Sequence, residues 1–325
     1  MDLSSLIPQT EILLAAVAID AIVGDPVYSL HPVRLMGRSL VWFEAKLRAI
    51  GASGRIAGCL LFAVLAVLWV GGSAALLVSL ASAHPLAASA FHLFAVYSLV
   101  AIRDLFKHCK AVDTSVKAGS VIEARAALAK LVGRDTAQID GDGCRRAAIE
   151  SLAENLVDSF ITPVLWYAVA GLPGIVLFKV VSTMDSMIGY KTERYIQFGW
   201  CGARLDDHLN WGPARLAWLL IAFGALLVPG CSAATACSVA WRQHSIVPGP
   251  NAGWSEAAMA GAIQRRLIGP IWAQGKPVTE TWLGRPDDPP AGSALDFQRA
   301  AWITGIASTV SVVVAGGWVM LAVGQ

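Results

Sequence analysis

The sequence has little charge for its length. Only 15% of its 325 residues are Asp, Glu, Lys or Arg, and the formal net charge is +2. Soluble domains carry about 25% charged residues. The small net charge, together with the lack of a basic arm or a Cys/His finger, excludes a nucleic-acid-binding protein. Hydrophobic residues make up 56% of the chain and the mean hydropathy is +0.58, which indicates an integral membrane protein with several spans.

The sequence also lacks the common signatures of nucleotide-binding and hydrolytic sites. It contains no GxxxxGK[ST], GxGxxG, GxSxG or HExxH pattern. The six cysteines form no CxxC pair and the six histidines show no metal-binding spacing, so we expect free thiols rather than zinc sites or disulfides. No positive stretch precedes the first apolar run, and we interpret that run as a retained membrane segment rather than a cleaved signal peptide.

The apolar segments predict an all-α fold, a single membrane-embedded domain over residues 1–325. A spanning helix needs about 20 mostly apolar residues, and four segments qualify or nearly do: 6–23, 56–80, 85–102 and 302–323. Two more, 160–181 and 214–241, are interrupted by GLPG at Gly171–Gly174 and by Pro229-Gly230. Because Gly and Pro break helices, a re-entrant hairpin fits residues 160–181 as well as a single span does. The span count is therefore four to seven.

Four polar segments carry the candidate chemistry: 24–55, 103–158, 182–213 and 244–299. Lys and Arg are frequent in 24–55 and 103–158 and absent from the turn between the second and third spans, which places these two segments in the cytoplasm. A re-entrant 160–181 puts 182–213 on the same side. We expect helices over 103–158 with turns at Ala118-Gly119 and Gly141–Gly143, and ordered loops with short helices between His244 and Arg299.

The stretch Ser182–Arg215 is the densest in polar residues and lies between two apolar segments. Ionisable groups held against membrane segments usually have a function. Asp206 and Asp207 are suited to Mg²⁺, and arginines such as Arg204 to phosphate or carboxylate. The alternative is a set of internal ion pairs that fixes a cytoplasmic loop.

A second motif places three carboxylates on one helix face. Glu150, Glu154 and Asp158 follow one another at intervals of four residues. Such like charges repel, so either Mg²⁺ or the preceding pair Arg145-Arg146 is expected to compensate them. The alternative is a solvated acidic face.

Two weaker motifs complete the set. His31 and Arg34 lie where a span runs into a turn and a new helix, which suits an anionic ligand. The alternative is that Asp25-Pro26 only ends the helix and the arginines anchor it on the cytoplasmic side. Asn251 lies in a Pro-Asn-x-Gly turn that either forms an anion-binding nest or is purely structural.

These stretches resemble the CobD/CbiB family of cobalamin biosynthesis, the adenosylcobinamide-phosphate synthases. The matching pieces run in family order and cover nearly the whole chain: Gly24–Ser39, Gly133–Asp140, Glu150–Trp166, Gly171–Gly174, Thr183–Leu216 and Pro250–Ala262. The resemblance implies a multi-pass inner-membrane ligase whose active site faces the cytoplasm. Its implied reaction joins adenosylcobyric acid to (R)-1-aminopropan-2-ol, or to its O-phosphate, through an amide bond, with ATP and Mg²⁺.

Activation of a carboxylate through an acyl phosphate requires acids, cations and a base, and we assign them as hypotheses. The residues expected to be catalytic are Asp185, Asp206, Lys191 and Arg204. Those expected to bind substrate or phosphate are His31, Arg34, Arg134, Asp135, Asn155, Tyr190, Asn210, Arg215 and Asn251. Those expected to hold the metal are Glu150, Glu154, Asp158 and Asp207. Either Asp185 or Asp206 is expected to act as the base or to bind the amine.

The expected partners are the corrinoid, the aminopropanol and membrane lipid, without nucleic acid. A homo-oligomer or an assembly with other enzymes of the pathway stays open. Two other functions are compatible with the residues alone: a transporter, which polar groups beside broken helices also suit, and a membrane regulator without catalysis.

Overall fold

A computed structural model describes residues 4–26, 28–273 and 276–323. The chain is mainly helical, as predicted. Its helices are α1 (Thr10–Val23), α2 (Pro32–Ala49), α3 (Arg55–Ala66), α4 (Gly72–Ala83), α5 (Pro85–Tyr97), α6 (Ile102–Lys117), α7 (Val121–Leu128), α8 (Gly141–Leu156), α9 (Thr162–Ile188), α10 (Trp200–Leu209), α11 (Trp211–Leu227), α12 (Ala233–Gln243), α13 (Ala252–Ile263) and α14 (Ala294–Val323). A short 3-10 turn, Ser4–Leu6, precedes α1, and two strands, β1 (Leu267–Ala273) and β2 (Lys276–Leu283), precede α14.

Four helical stretches in the described residues are long and apolar enough to cross a membrane: Arg55–Ala83, Pro85–Lys117, Gly141–Ile188 and Ala294–Ala322. The first joins α3 to α4 through a π-helical turn, Val67–Gly71. The third joins α8 to α9 through another π-helical turn, Val157–Ile161. The chain is thus a polytopic membrane protein.

Several helix ends differ from the ends of the predicted spans, for local reasons. The first apolar helix begins at Thr10 rather than residue 6 and has 14 residues, because Pro8 disfavours helical backbone in the residue before it. Within the predicted span 85–102, helix α5 ends at Tyr97, and the Leu99 N–H donates to the Val96 carbonyl at 3.1 Å in a tightened last turn. The last helix starts at Ala294, ahead of the predicted 302.

A capping box explains that early start of α14. The Asp296 carboxylate accepts the Ser293 backbone N–H at 3.0 Å, and the Ser293 hydroxyl accepts the Asp296 N–H at 3.1 Å. The predicted turn at Gly141–Gly143 is likewise the first turn of a helix, α8. Its N-cap is Asp140, whose carboxylate accepts the Gly143 N–H at 2.7 Å.

The chain packs as two compact units. One comprises residues up to Ala101, Thr162–Asn210 and the chain from Val312, and the other comprises Ile102–Ile161 and Trp211–Ser311. In the first unit, α1 and α4 pack on α5, and α9 packs against α2, α3 and α10.

Helix α9 is interrupted at GLPG, as the sequence indicated. Gly171 adopts φ +60° and ψ −148°, a conformation open to glycine alone, and a side chain there would collide with the Leu6 carbonyl oxygen. A Cβ at Gly174 would collide with the Trp166 carbonyl oxygen, eight residues earlier in the chain. A straight helix separates such residues by about 12 Å, so the chain folds back here. Whether the reversal is re-entrant in a membrane stays a prediction.

In the second unit, α13 is the centre of the packing. It contacts α8, α11 and α12, and every residue from Gly253 to Ile263 is buried. The close approach of α12 is possible because Gly261 faces the Thr235 carbonyl, where a Cβ would collide. Around this centre, α6 packs on α7 and α8.

The second unit also contains a feature that an all-α prediction misses. Strands β1 and β2 form an antiparallel hairpin whose register pairs Leu267 with Leu283 and Gly269 with Thr281. The sequence predicts ordered loops with short helices here, because the segment His244–Arg299 is rich in Pro and Gly. A two-stranded hairpin tolerates proline, since each strand has a free edge where no backbone donor is needed.

Candidate active site

An aspartate cluster forms in the first unit where α10 packs on the end of α9. Gly202 permits the close approach, because a Cβ there would lie 2.9 Å from the Met184 Cβ. The packing brings Asp185 of α9 into electrostatic contact with Asp206 and Asp207 of α10. Burial, and then the nearby Asp185 carboxylate, raises the pKa of Asp206 to about 7. A carboxyl group with a pKa near neutrality is suited to accept and return a proton.

Cations lie beside these carboxylates. The Arg204 guanidinium is 3.5 Å from the Asp207 carboxylate, and Lys179 is a charged neighbour of Asp206. The cluster is therefore mixed in sign, with three carboxylates and two basic groups.

Asn210 fixes the cluster from behind. Its side chain is 1% exposed; the amide nitrogen donates to Asp206 Oδ2 at 2.9 Å and the amide oxygen accepts from Thr162 Oγ1 at 2.6 Å. The Trp166 indole adds a hydrogen bond to the Leu209 carbonyl at 3.1 Å. Both ends of the Asn210 amide are engaged inside the protein, so the residue predicted to bind substrate orients Asp206 here.

The loop between α9 and α10 is tied to α2 by a glutamate that the sequence analysis missed. Glu44 is buried, and its Oε1 accepts from Arg48 Nε at 2.7 Å and from Arg194 at 3.0 Å. The Arg48 guanidinium also lies 4.6 Å from the Phe198 ring centroid. Tyr190 and Lys191, two predicted site residues, are exposed on this anchored loop.

In the polar motif that contains His31 and Arg34, one of the two predicted ligand-binding side chains already has a partner within the motif. His31 is buried, and its Nε2 lies 2.8 Å from Asp25 Oδ1. Arg34, one turn into α2, is exposed and makes no ion pair with the residues that the structure describes. Of the two predicted ligand contacts in this motif, Arg34 is the accessible one.

A glutamate cluster forms in the second unit where α8 packs on α13. Glu150 of α8 pairs with Arg134 at 2.8 Å, and Glu150 and Glu154 are charged neighbours of Glu256 on α13. Burial, and then these two carboxylates, raises the pKa of Glu256 well above the usual range. Asp158, the third member of the predicted face, lies in the π-helical turn after α8.

Of the two arginines predicted to compensate this face, Arg146 is a charged neighbour of Glu150, but neither forms an ion pair with Glu150 or Glu154 among the described residues. Arg145 Nε is 2.7 Å from the buried Asp113 carboxylate, and Arg146 donates to the Ile268 and Ala291 carbonyls at 3.0 and 3.2 Å. Both arginines hold other elements to α8. Glu150 pairs instead with Arg134, which reaches it from the preceding loop.

Other predicted binding residues take local roles. Arg215 donates to Asn251 Oδ1 at 3.4 Å and lies 4.2 Å from the Trp211 ring centroid. Asp135 accepts the Ala137 N–H at 2.9 Å and closes a turn, and the Asn155 amide donates to the Ser151 carbonyl at 3.1 Å.

The predicted metal ligands divide between the units: Asp207 lies in the first, and Glu150, Glu154 and Asp158 lie in the second. Within residues 4–26, 28–273 and 276–323, no group of three or more His, Cys, Asp or Glu side chains is arranged to hold a metal ion. A magnesium ion bound through one or two carboxylates and substrate phosphates does not require such a group.

Comparison with known proteins identifies the family. A family model described as CobD/Cbib protein matches residues 13–304. The chain belongs to the CobD/Cbib family. It is 38% identical to "Cobalamin biosynthesis protein CobD" of Sinorhizobium sp over 93% of this chain and 98% of that protein. It is 34% identical to the protein of that name from Photorhabdus laumondii, over 96% of this chain and 98% of the other. No solved structure matches.

The CobD/Cbib family is one of cobalamin biosynthesis, and the resemblance seen in the sequence is confirmed. Glu256 is the main residue that sequence reasoning missed. It lies within the matching stretch Pro250–Ala262 and is the one charged residue there. A single carboxylate in an otherwise apolar helix was the available signal.

Proposed function

We propose that this CobD/Cbib chain is an ATP-dependent ligase that joins adenosylcobyric acid to 1-aminopropan-2-ol, or to its O-phosphate, through an amide bond. The observation that supports this best is the aspartate cluster, where Asp185, Asp206 and Asp207 meet Lys179 and Arg204. A carboxylate is a poor acceptor for an amine until it is activated, and transfer of a phosphoryl group to it is the usual activation. Clusters that combine carboxylates with cations suit phosphoryl transfer.

Magnesium fits this cluster. Asp207, with Asp185, would hold the ion together with nucleotide phosphates, since Mg²⁺ prefers one or two carboxylates plus phosphate oxygens. The bound ion would neutralise charge on the phosphates. Arg204, together with Lys191 and Arg34, would bind the phosphates or the substrate carboxylate, since all three side chains are exposed.

Asp206 would act as the proton acceptor in the amide-forming step. Its pKa of about 7 keeps a fraction ionised at neutral pH, and Asn210 fixes its orientation. The other predicted binding residues remain proposed substrate contacts within their own units: His31 and Tyr190 in the first, and Arg134, Asp135, Asn155, Arg215 and Asn251 in the second.

The proposed location is the inner membrane, with the aspartate cluster facing the cytoplasm. Frequent Lys and Arg in the polar segments support this orientation. A reporter that is active only in the periplasm, fused after Gly189, tests it. We expect no reporter activity; strong activity would reverse the assigned orientation.

Asparagine variants test the ligase reaction. The full-length protein is reconstituted in lipid nanodiscs with Mg-ATP, adenosylcobyric acid and aminopropanol, and the amide is measured by mass spectrometry. We expect Asp185→Asn, Asp206→Asn and Asp207→Asn each to lower the rate by about a hundredfold or more. Asp287→Asn, at an exposed carboxylate of the second unit, is the matched control. Near-wild-type rates in all three variants, with folding intact, would refute the assignment.

One observation favours a transporter as the second candidate. The break in α9 at Gly171 resembles the interrupted helices that bind substrates in transporters. This alternative predicts that proteoliposomes take up aminopropanol or a corrinoid without forming an amide. Amide formation in nanodiscs, where no second compartment exists, would exclude transport as the sole function.

A further inference from the structure

Helix α13 carries a carboxylate that the proposed ligase chemistry has not used. Glu256 is 3% exposed in a helix whose other residues from Gly253 to Ile263 are also buried. Its Oε2 atom has no hydrogen-bond partner in the described part of the chain. A buried carboxylate oxygen without a partner costs stability. A ligand that donates hydrogen bonds would remove that cost.

The charged groups around Glu256 are mainly acidic and, after burial, raise its pKa, so a bound cation would favour its ionised form. They are Glu150 and Glu154 on α8 and Arg134 from the preceding loop. Arg134 is already paired with Glu150 at 2.8 Å. Glu154 is exposed and makes no hydrogen bond or ion pair with another described side chain. Glu150 therefore has Arg134 as its ion-pair partner and Arg146 as a second charged neighbour, whereas Glu154 and Glu256 have no ion-pair partner among the described side chains.

The aspartate cluster and the glutamate cluster differ in how many cations they contain, and we therefore expect them to bind different ligands. The aspartate cluster contains Lys179 and Arg204, so it can receive phosphates. The glutamate cluster has no second cation among the groups that act on Glu256, so it would repel them. Mg²⁺ binds through one or two carboxylates plus substrate phosphates, so a cluster that repels phosphates is better suited to an ammonium group than to that ion. An ammonium has three donors and no acceptor, which matches carboxylate oxygens without partners.

We propose that Glu154 and Glu256 form the site that binds the primary ammonium group of the aminoalcohol substrate. Exposed Glu154 meets the incoming amine, and buried Glu256 accepts a second hydrogen bond through Oε2. Glu150, held by Arg134, orients the pair and adds negative charge. This proposal rests on the proposed ligase function and assigns the binding of the free amine to the glutamates; the proton transfer to Asp206 in the amide-forming step is a separate event.

Calorimetric titration of the full-length protein in nanodiscs with 1-aminopropan-2-ol tests the site, without nucleotide or corrinoid. Propane-1,2-diol is the neutral probe and Mg²⁺ is the competing cation. We expect the amine to bind, the diol not to compete, and Glu256→Gln and Glu154→Gln each to weaken amine binding by about tenfold or more, since hydrogen bonds to charged groups contribute on that scale. Glu123→Gln, an exposed glutamate of the same unit, should bind as wild type does.

Three results would overturn the site: wild-type protein that binds the amine no better than the diol, unchanged amine affinity in both glutamine variants, or competitive displacement of the amine by Mg²⁺. Because Glu154 is exposed, its variant keeps the test informative if Glu256→Gln fails to fold. Amine binding that depends on Glu256 in a protein that forms no amide would refute the ligase reaction and leave the ammonium site intact. Amide formation by Glu256→Gln with an unchanged KM for the amine would refute the ammonium site and leave the ligase reaction intact.

Discussion

Glu44 on α2 accepts a hydrogen bond of 3.0 Å from Arg194, which lies 150 residues later in the loop between α9 and α10. The same oxygen accepts from Arg48, whose guanidinium in turn donates to the Arg194 carbonyl at 3.1 Å. One buried carboxylate thus holds the loop that carries Lys191. In the sequence this loop lies between Asp185 and Asp206. The active-site loop depends on a residue far from it along the chain.

Replacing Glu44 tests this anchor. Glu44→Gln keeps the shape of the side chain and removes the charge that two arginines share, so we expect a lower thermal midpoint and faster tryptic cleavage after Arg194. Glu193→Gln, an exposed neighbour in the same loop, should change neither. Equal cleavage rates for both variants would show that Glu44 does not anchor the loop.

Gly171 is predicted to tolerate no side chain. Gly171→Ala combines a positive φ with a collision against the Leu6 carbonyl, and we expect it to destabilise the protein by about 2–4 kcal/mol. Gly72→Ala, in the regular helix α4 with open space around it, should be neutral or stabilise by up to about 1 kcal/mol. The measurement is chemical unfolding of both variants in the same detergent. A tolerated Gly171→Ala would mean that the break does not need glycine.

Arg145 has two acidic neighbours, and we expect them to contribute differently to the free energy of unfolding. The Asp113 carboxylate is 4% exposed and 2.7 Å from Arg145, whereas Asp142 is 74% exposed and 3.8 Å away. Removing one partner of a buried pair costs about 3–5 kcal/mol, and exposed pairs contribute about 0–1 kcal/mol. We expect Asp113→Asn to destabilise strongly and Asp142→Asn hardly at all. Similar losses of unfolding free energy in the two variants would contradict this difference.

Asn210 is predicted to act through Asp206. Asn210→Ala leaves Thr162 and Asp206 without their shared partner, and we expect a loss of about 1–3 kcal/mol in stability. We also expect kcat to fall with little change in KM for ATP, because the substitution misplaces a proton acceptor and leaves the proposed nucleotide-binding side chains in place. Gln197→Ala, exposed on the adjoining loop, is the control. A KM effect without a kcat effect would point to substrate contact instead.

The sequence predicted the helical class and the break at GLPG, and it drew attention to Asp185, Asp206 and Asp207, whose role stays a prediction, because each has a local signal. Long apolar runs, a Gly-Pro pair and charges beside a membrane segment can be seen in a single window of residues. Helix ends were less accurate, since they depend on caps such as Asp140 and on the Ser293–Asp296 box.

Long-range pairings were not predictable in the same way. Nothing local indicates that Arg134 rather than Arg145 pairs with Glu150, or that Glu44 meets Arg194. The same holds for Glu256, whose significance arises only when α13 packs against α8. The β1–β2 hairpin was not predicted because proline is rare inside strands. An edge strand accepts proline, since its outer edge needs no backbone donor.

The ligase reaction is tested most directly by following oxygen. Full-length wild-type protein in nanodiscs is given Mg-ATP, aminopropanol and adenosylcobyric acid with both oxygens of the reacting carboxylate labelled with ¹⁸O, and the products are analysed by mass spectrometry. Activation through an acyl phosphate predicts an amide that retains one label and inorganic phosphate that carries the other. An amide formed with unlabelled phosphate would contradict the acyl phosphate, and the absence of any ATP-dependent amide would contradict the ligase itself.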